Sequence, residues 1–198
     1  GYKTNENSLS LGTTFEQYEN LYFSPSLSTS FESLETTSIA TDNLKKQKGD
    51  YFDTYFNYGL DYDMRNQRYQ TTDGSRTYFA QKLPIISENS EIINTFEVSK
   101  YKTLVSDMVG KISFYSQTAN SLTDDDVRIS KRLYVPYKKL RGFQKGKVGP
   151  KDQESFIGGN YVSSLNMSAT LPQILPSLQN TDFAFFIDMA NVWGVDYD

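Results

Sequence analysis

The sequence contains neither cysteine nor histidine. The first absence excludes disulfides and thiol nucleophiles within this chain. The second removes the usual proton carrier and the commonest metal ligand. A Ser–His hydrolase arrangement, such as an outer-membrane phospholipase or protease would need, is therefore impossible here. Asp61 and Asp63 show no facing carboxylate for an acid-pair hydrolase. We predict that the chain is not an enzyme and uses no cofactor.

The sequence is also poor in apolar residues and in excess positive charge. Only 37% of residues are hydrophobic, yet the chain carries 15 Tyr and 13 Phe. Low hydrophobicity alone would indicate disorder, but aromatic rings bury large areas and favour strands. The net charge of −4 gives no reason to expect a nucleic-acid partner. No apolar run approaches the ~20 residues of a membrane helix, although a membrane β-barrel needs only short alternating segments.

Alternation of apolar and polar residues with a period of two is the main structural signal. It predicts about eight strands and no helix. The predicted strands cover 8–16, 21–32, 51–63, 75–86, 91–103, 109–118, 159–171 and 182–193. Two connections are long, at roughly 35–50 and 119–158. Long loops without regular structure are uncommon in compact domains and are usually functional or disordered.

Two kinds of all-β protein fit this alternation: a soluble β-sandwich that binds carbohydrate through its aromatics, and an antiparallel transmembrane β-barrel. A strand over 51–63 would be ~40 Å long at about 3.4 Å per residue, against the ~20 Å usual in sandwiches. Aromatic residues near strand ends also favour the barrel, because aromatic girdles mark both membrane interfaces. These aromatics are Phe15, Phe31, Phe52, Tyr62, Phe183 and Trp193. The opposite faces carry Ser, Thr, Asn and Asp, which suits a water-filled lumen.

Four segments together carry a family resemblance. They are "LRGFQKGKVGPKD" (140–152), "GGN" (158–160), "FFIDMANVW" (185–193) and the hairpin "LDYDMRNQRYQTTDGSRTYFAQKLP" (60–84). Arg-Gly-Phe alone carries no information. Followed by Val-Gly-Pro-Lys, Gly-Gly-Asn and Phe-x-Asp in this order, it resembles the barrel of the BamA family of outer-membrane insertases. The resemblance covers most of the chain.

The resemblance implies a sixteen-stranded outer-membrane barrel, preceded in the family by periplasmic POTRA domains. Residues 1–198 would be part of one such barrel domain of the bacterial surface antigen type. They would cover its middle and later half, so that the chain looks cut at both ends. The loop 119–158 would be folded into the lumen.

The implied function is the folding and insertion of β-barrel proteins in the Gram-negative outer membrane. The implied partners are the outer-membrane bilayer, unfolded outer-membrane proteins as clients, and accessory periplasmic lipoproteins. Related barrels that translocate proteins or assemble autotransporters share the fold and the Arg-Gly-Phe motif, and they stay open as alternatives.

The family also implies a contact that we call the loop-to-wall lock, formed by Arg141, Gly142, Phe143 and Asp188. In the family the Arg of this loop meets an acidic residue on the inner wall. The residues of this chain supply a candidate, because the opposite face of 182–193 is apolar and Asp188 would then point inward. An Arg can bind a carboxylate through two hydrogen bonds. Gly142 would allow a tight turn and Phe143 would pack beside the wall. The alternative is that Arg141 lies on a solvated loop.

The predicted site also includes a supporting loop motif. Two further positions differ from the family pattern, and one acidic run could suggest a metal. The supporting motif consists of Gly149, Pro150, Lys151, Gly158, Gly159 and Asn160. Ser168 stands where the family often has a second inward Glu, and Ala190 where it usually has Gly. The acidic run 124–126 lacks the Asp-x-Asp-x-Asp-Gly pattern of a calcium loop, and we predict no metal site.

Overall fold

The computed structural model describes residues 1–105, 107–171 and 183–195 and consists mainly of one antiparallel sheet. The strands are β1 Tyr2–Gly12, β2 Phe15–Tyr18, β3 Leu21–Thr36, β4 Gly49–Asp63, β5 Gly74–Ile86, β6 Glu91–Thr103, β7 Val109–Ser121, β8 Lys151–Asp152, β9 Ser155–Phe156, β10 Tyr161–Thr170 and β11 Ala184–Trp193. The nine-stranded sheet has the order β1-β3-β4-β5-β6-β7-β10-β11, with β2 also paired to β3, while β8 and β9 form a separate hairpin. Within the described residues the sheet is open, with β1 and β11 at its edges.

The predicted strands are all present, with shifted ends. The ninth strand arises because β1 and β2 pair with the same neighbour, on either side of a short break. Residue 182 of the last predicted strand lies outside the described residues.

The prediction of no helix was wrong. A short helix, α1, covers Asp42–Lys46, and two 3-10 turns cover Ile129–Lys131 and Tyr137–Lys139. Helix α1 has Asp42 in its first turn and two lysines in its last, charges that suit the helix dipole. No helix among the described residues is long and apolar enough to cross a membrane.

The outer face of the sheet is exposed and apolar. Phe185 is 71% exposed and Ile187 is 59% exposed, while Val192 on the opposite face of β11 is buried. The same alternation holds in β4, where Phe52 and Tyr62 are exposed and Asp53 is buried. A sandwich would bury these large apolar side chains between two sheets. Their exposure in contiguous rows fits contact with lipid, as the strand pattern predicted.

The apolar band crosses the hydrogen-bonded rows of the sheet at an angle. One outward-facing row, followed from β4 to β11, changes from apolar to polar side chains. The row contains Leu60, Phe79, Phe96, Ser116, Ser163 and Asn191. An apolar band parallel to the membrane plane would show this drift if the strands were tilted, and strands of membrane barrels tilt by about 35–45°.

The connection between β7 and β10 packs against the inner face. Its predicted bounds, 119–158, shift to 122–160, because β7 continues to Ser121 and β10 begins at Tyr161. An apolar cluster joins the loop to the wall strands and contains Tyr115, Ala119, Val127, Leu133, Val135, Leu140, Val162 and Val192. A second cluster joins the loop to α1 and contains Leu34, Ala40, Leu44, Tyr51, Ile129 and Ile157. The loop therefore shares two buried apolar clusters with the inner face of the sheet.

Candidate functional site

Arg141 and Asp188 meet through three hydrogen bonds. Nε of Arg141 donates to Oδ2 of Asp188 at 2.7 Å, and Nη2 donates to Oδ1 at 2.8 Å. The backbone N–H of Arg141 also donates to Oδ2, at 3.0 Å. Two parallel bonds from one guanidinium to one carboxylate fix the orientation of both groups. The two charged residues that the sequence placed in the lock are thus in contact.

Strand alternation brings Asp188 to this contact. Its neighbours Phe185 and Ile187 carry the outward face of β11, so that Asp188 faces the loop. Its side chain is 3% exposed, against 39% for Arg141. Hydrogen bonding to Asp188 raises the pKa of the Arg141 guanidinium above its ordinary value. Arg141 therefore keeps its positive charge at any pH the protein meets.

Two residues that sequence reasoning missed complete the contact. Nδ2 of Asn166 donates to Oδ1 of Asp188 at 2.9 Å and to the carbonyl oxygen of Lys139 at 2.7 Å. The guanidinium carbon of Arg141 lies 3.7 Å from the centre of the Phe186 ring. Asn166 is the cross-strand partner of Asp188. The pairing of β10 with β11 is therefore the signal that identifies Asn166.

The structure agrees with the prediction for Gly142 but not with the prediction for Phe143. Gly142 has a φ of +84°, in the left-handed region that favours glycine, and it reverses the chain as expected. The expectation that Phe143 packs beside the wall was wrong, because this ring is 64% exposed. The ring that packs against the Arg141 guanidinium is that of Phe186 on β11.

The glycines of the supporting motif lie where the loop closes on the wall. Gly149 has a φ of +111°, and a Cβ there would lie 2.7 Å from Cβ of Val192. Gly158 has a φ of +71°, and a Cβ there would lie 2.7 Å from the Leu133 carbonyl oxygen. Gly159 exchanges backbone hydrogen bonds of 3.0 and 2.8 Å with Leu133. No larger residue fits these approaches without displacing the loop or the strand.

The other three motif residues have separate positions. The N–H of Asn160 donates to the Gly194 carbonyl at 2.7 Å, which ties the loop end to the end of β11. The carbonyl of Pro150 accepts from the N–H of Ile157 at 3.1 Å. Lys151 is exposed, with its Nζ 4.7 Å from the centre of the Phe156 ring. Asn160 and Pro150 therefore stabilise the loop, whereas Lys151 lies on its surface.

We expect Gly149→Ala to weaken loop docking more than Gly142→Ala does. A left-handed φ costs an L-residue roughly 1 kcal/mol at either position. Only at Gly149 would the new methyl also meet a wall side chain, which should add about 1 kcal/mol of overpacking. Protease sensitivity of the loop in the folded full-length protein measures the difference. Equal sensitivity of the two variants would contradict the close approach to Val192.

The two departures from the family pattern have different surroundings. Ser168 lines a cavity of about 380 Å³ beside Arg141, and Glu97 is the one carboxylate among the residues that line it. Asn166, in the same cavity, provides the further polar contact to Asp188. Ala190 packs against the first apolar cluster. Among residues 1–105, 107–171 and 183–195, no group of three or more acidic side chains could hold a metal ion.

Comparison with known proteins agrees with this geometry. The Omp85 superfamily domain matches residues 1–198. The chain therefore belongs to the Omp85 superfamily, and the family resemblance seen in the sequence is confirmed. No curated protein sequence matches the chain.

The fold is similar to that of BamA from Haemophilus ducreyi, whose crystal structure lacks POTRA domains 1–3. The TM-score is 0.81 at 22% sequence identity. The match covers 98% of this chain and 42% of the BamA chain, so this chain spans less than half of that protein. Superfamily membership and the shared barrel wall indicate a protein of the Gram-negative outer membrane.

Proposed function

We propose that the chain is part of a barrel that folds and inserts β-barrel proteins into the outer membrane. The observation that carries the proposal is the Arg-Gly-Phe loop, which lies on the inner wall and binds Asp188 through Arg141. This contact occurs within a chain that matches the Omp85 superfamily domain over its whole length. The clients would be unfolded outer-membrane proteins. Accessory periplasmic lipoproteins would assist the barrel as parts of the assembly complex.

This activity requires no covalent chemistry. A barrel of this kind would bind a client strand at an open sheet edge, where backbone N–H and C=O groups pair with the incoming strand. Backbone pairing tolerates many client sequences, because the ladder does not read side chains. The lock would hold the loop against β11 and keep this part of the wall in one arrangement. Loss of the lock should therefore reduce assembly without removing a reactive group.

The experiment is a depletion test in the source bacterium. Expression of the native gene is shut off and replaced by full-length wild type, Arg141→Ala, Asp188→Ala, or Lys145→Ala as an exposed cation control in the same loop. Folded outer-membrane barrels are quantified by their heat-modifiable migration in gels.

Wild type and Lys145→Ala should restore barrel levels, whereas the two lock variants should lower them several-fold. A different result would overturn the proposal. If depletion leaves barrels at normal levels but blocks release of a secreted protein, the chain belongs to a translocating relative instead.

A further inference from the structure

Arg128 is the most deeply buried cation of the loop and lies outside the lock. Its side chain is 0% exposed. Nη1 lies 3.2 Å from a carboxylate oxygen of Glu32, and Nη2 lies 2.7 Å from Asp53 and 3.8 Å from Glu91. These carboxylates are themselves at most 1% exposed. We call this group the Arg128 cluster.

The Arg128 cluster joins the loop to a different part of the wall from the lock. Glu32, Asp53 and Glu91 belong to β3, β4 and β6, whereas Asp188 belongs to β11. Sequence reasoning missed Arg128 because its partners come from three strands that are distant in sequence and all face inward. The loop therefore contacts the described wall through two arginines on opposite sides.

Further contacts fix the geometry around Arg128. Its guanidinium carbon lies 4.1 Å from the centre of the Tyr51 ring. The Tyr55 hydroxyl donates to Glu91 at 3.0 Å. The hydroxyl of Ser130 donates to Glu32 at 3.0 Å. Each wall carboxylate is thus held by the loop or by a neighbouring wall residue.

The charges of the Arg128 cluster make the wall depend on the loop. Three buried carboxylates repel one another, and a buried charge is costly unless it is paired and hydrogen-bonded. The loop supplies Arg128, and it also supplies Lys131, which lies 3.7 Å from Glu32. Burial by itself would lower the pKa of Arg128, but Glu91, Asp53 and Glu32 outweigh it and raise that pKa. Arg128 therefore stays charged, and its removal would leave these acids without their central counter-ion.

We propose that Arg128 is a second anchor, a positioning residue that docks the first half of the loop on β3, β4 and β6 independently of Arg141. The second anchor offsets part of the negative charge of the three wall acids, so that the loop and this part of the barrel order together. This inference goes beyond the proposed function, because it holds for any activity of the barrel. Its readouts are loop position and barrel folding rather than client assembly.

The test uses full-length protein in outer-membrane vesicles. Each variant carries a single cysteine, which is the introduced reporter. Ile129→Cys reports on the first half of the loop, and Leu140→Cys reports on the half beside the lock. Both positions are buried, at 1% and 8% exposure. Each reporter is combined with Arg128→Met, with Arg141→Met, or with the exposed Lys145→Met as control. Reaction with a polar maleimide measures exposure, and heat-modifiable migration shows that the barrel is folded.

We expect Arg128→Met to speed labelling at Ile129→Cys by about tenfold or more, while Leu140→Cys stays protected, because proteins open locally in contiguous units and the two halves of the loop have separate anchors. Arg141→Met should do the reverse, and Lys145→Met should change neither. Joint exposure of both reporters in either variant would show a single docking unit and overturn the inference. Unchanged protection of Ile129→Cys in a folded Arg128→Met barrel would also overturn it.

A charge-compensation test distinguishes anchoring by charge from simple packing. It also keeps the inference testable if Arg128→Met alone does not fold. Asp53→Asn removes one wall charge at nearly constant shape, so that Arg128→Met with Asp53→Asn should regain protection or folding relative to Arg128→Met alone. Arg128→Lys should retain part of the protection, because it keeps the charge. If Asp53→Asn gives no recovery, the wall acids do not need the loop cation and the second anchor is wrong.

Discussion

Exchanging the two charges of the lock, with Arg141→Asp and Asp188→Arg in one protein, should recover part of the loop docking that either single substitution removes. Each single change replaces the ion pair by two like charges against the inner wall. We expect a loss of about 3 kcal/mol from docking, the lower end for a broken buried pair, because only Asp188 is fully buried. The recovery should be partial, since the exchange also loses the bond from Asn166 and the contact with Phe186.

The recovery is measured as a double-mutant cycle on loop docking in the folded full-length protein, with Leu140→Cys labelling as the readout. Residues in direct contact give coupling energies of roughly 0.5–3 kcal/mol, and the lock should fall in that range. Lys145→Asp is the matched control, since it makes the same charge change on the exposed surface of the loop. If the exchange behaves no better than either single substitution, Arg141 and Asp188 do not act as a pair.

The sequence could predict the wall because the side-chain period of a strand is independent of its partners. The alternation in β11 was enough to place Phe185 and Ile187 outward and Asp188 inward. The same pattern placed Asp53 on the inner face of β4. An inward carboxylate then needs a cation, and the family resemblance indicated which arginine supplies it. Whether a strand residue faces inward or outward can therefore be predicted without knowing how the strands are paired.

The loop could not be predicted in this way, because its conformation depends on several distant strands at once. Arg128 has no local pattern that distinguishes it from the other loop cations, and only the fold brings Glu32, Asp53 and Glu91 to it. Helix α1 is five residues long, too short to show a helical period. Phe143 was misplaced because a turn at Gly142, although expected, does not specify where the next side chain lies.

Placing an arginine on the outer face of β11 should destabilise the barrel far more than placing it on the inner face of the same strand. For Ile187→Arg we expect a loss of about 2–4 kcal/mol in unfolding free energy, because Ile187 lies in the middle part of β11 and Arg on the lipid face costs this much at mid-depth. Ala184→Arg, at the start of the same strand, is the comparison on the inner face, because Ala184 is exposed and its side chain alternates to that face. Urea titration of the full-length protein in lipid vesicles, followed by heat-modifiable migration, measures both.

The same comparison in detergent distinguishes two causes of the lost stability: a charge in hydrocarbon and a packing defect. A flexible micelle lets a charged side chain reach water more easily than a bilayer does, so that the gap between Ile187→Arg and Ala184→Arg should shrink in detergent and persist in vesicles. A packing defect would instead be equal in both media, because the contacts of Ile187 with its own sheet do not change. Equal loss at the two positions in vesicles would mean that the outer face of β11 does not contact hydrocarbon. The sequence argument that placed Asp188 inward would then lose its physical basis, because it assumed lipid on the opposite face, and the hydrogen bonds to Arg141 alone would explain that placement.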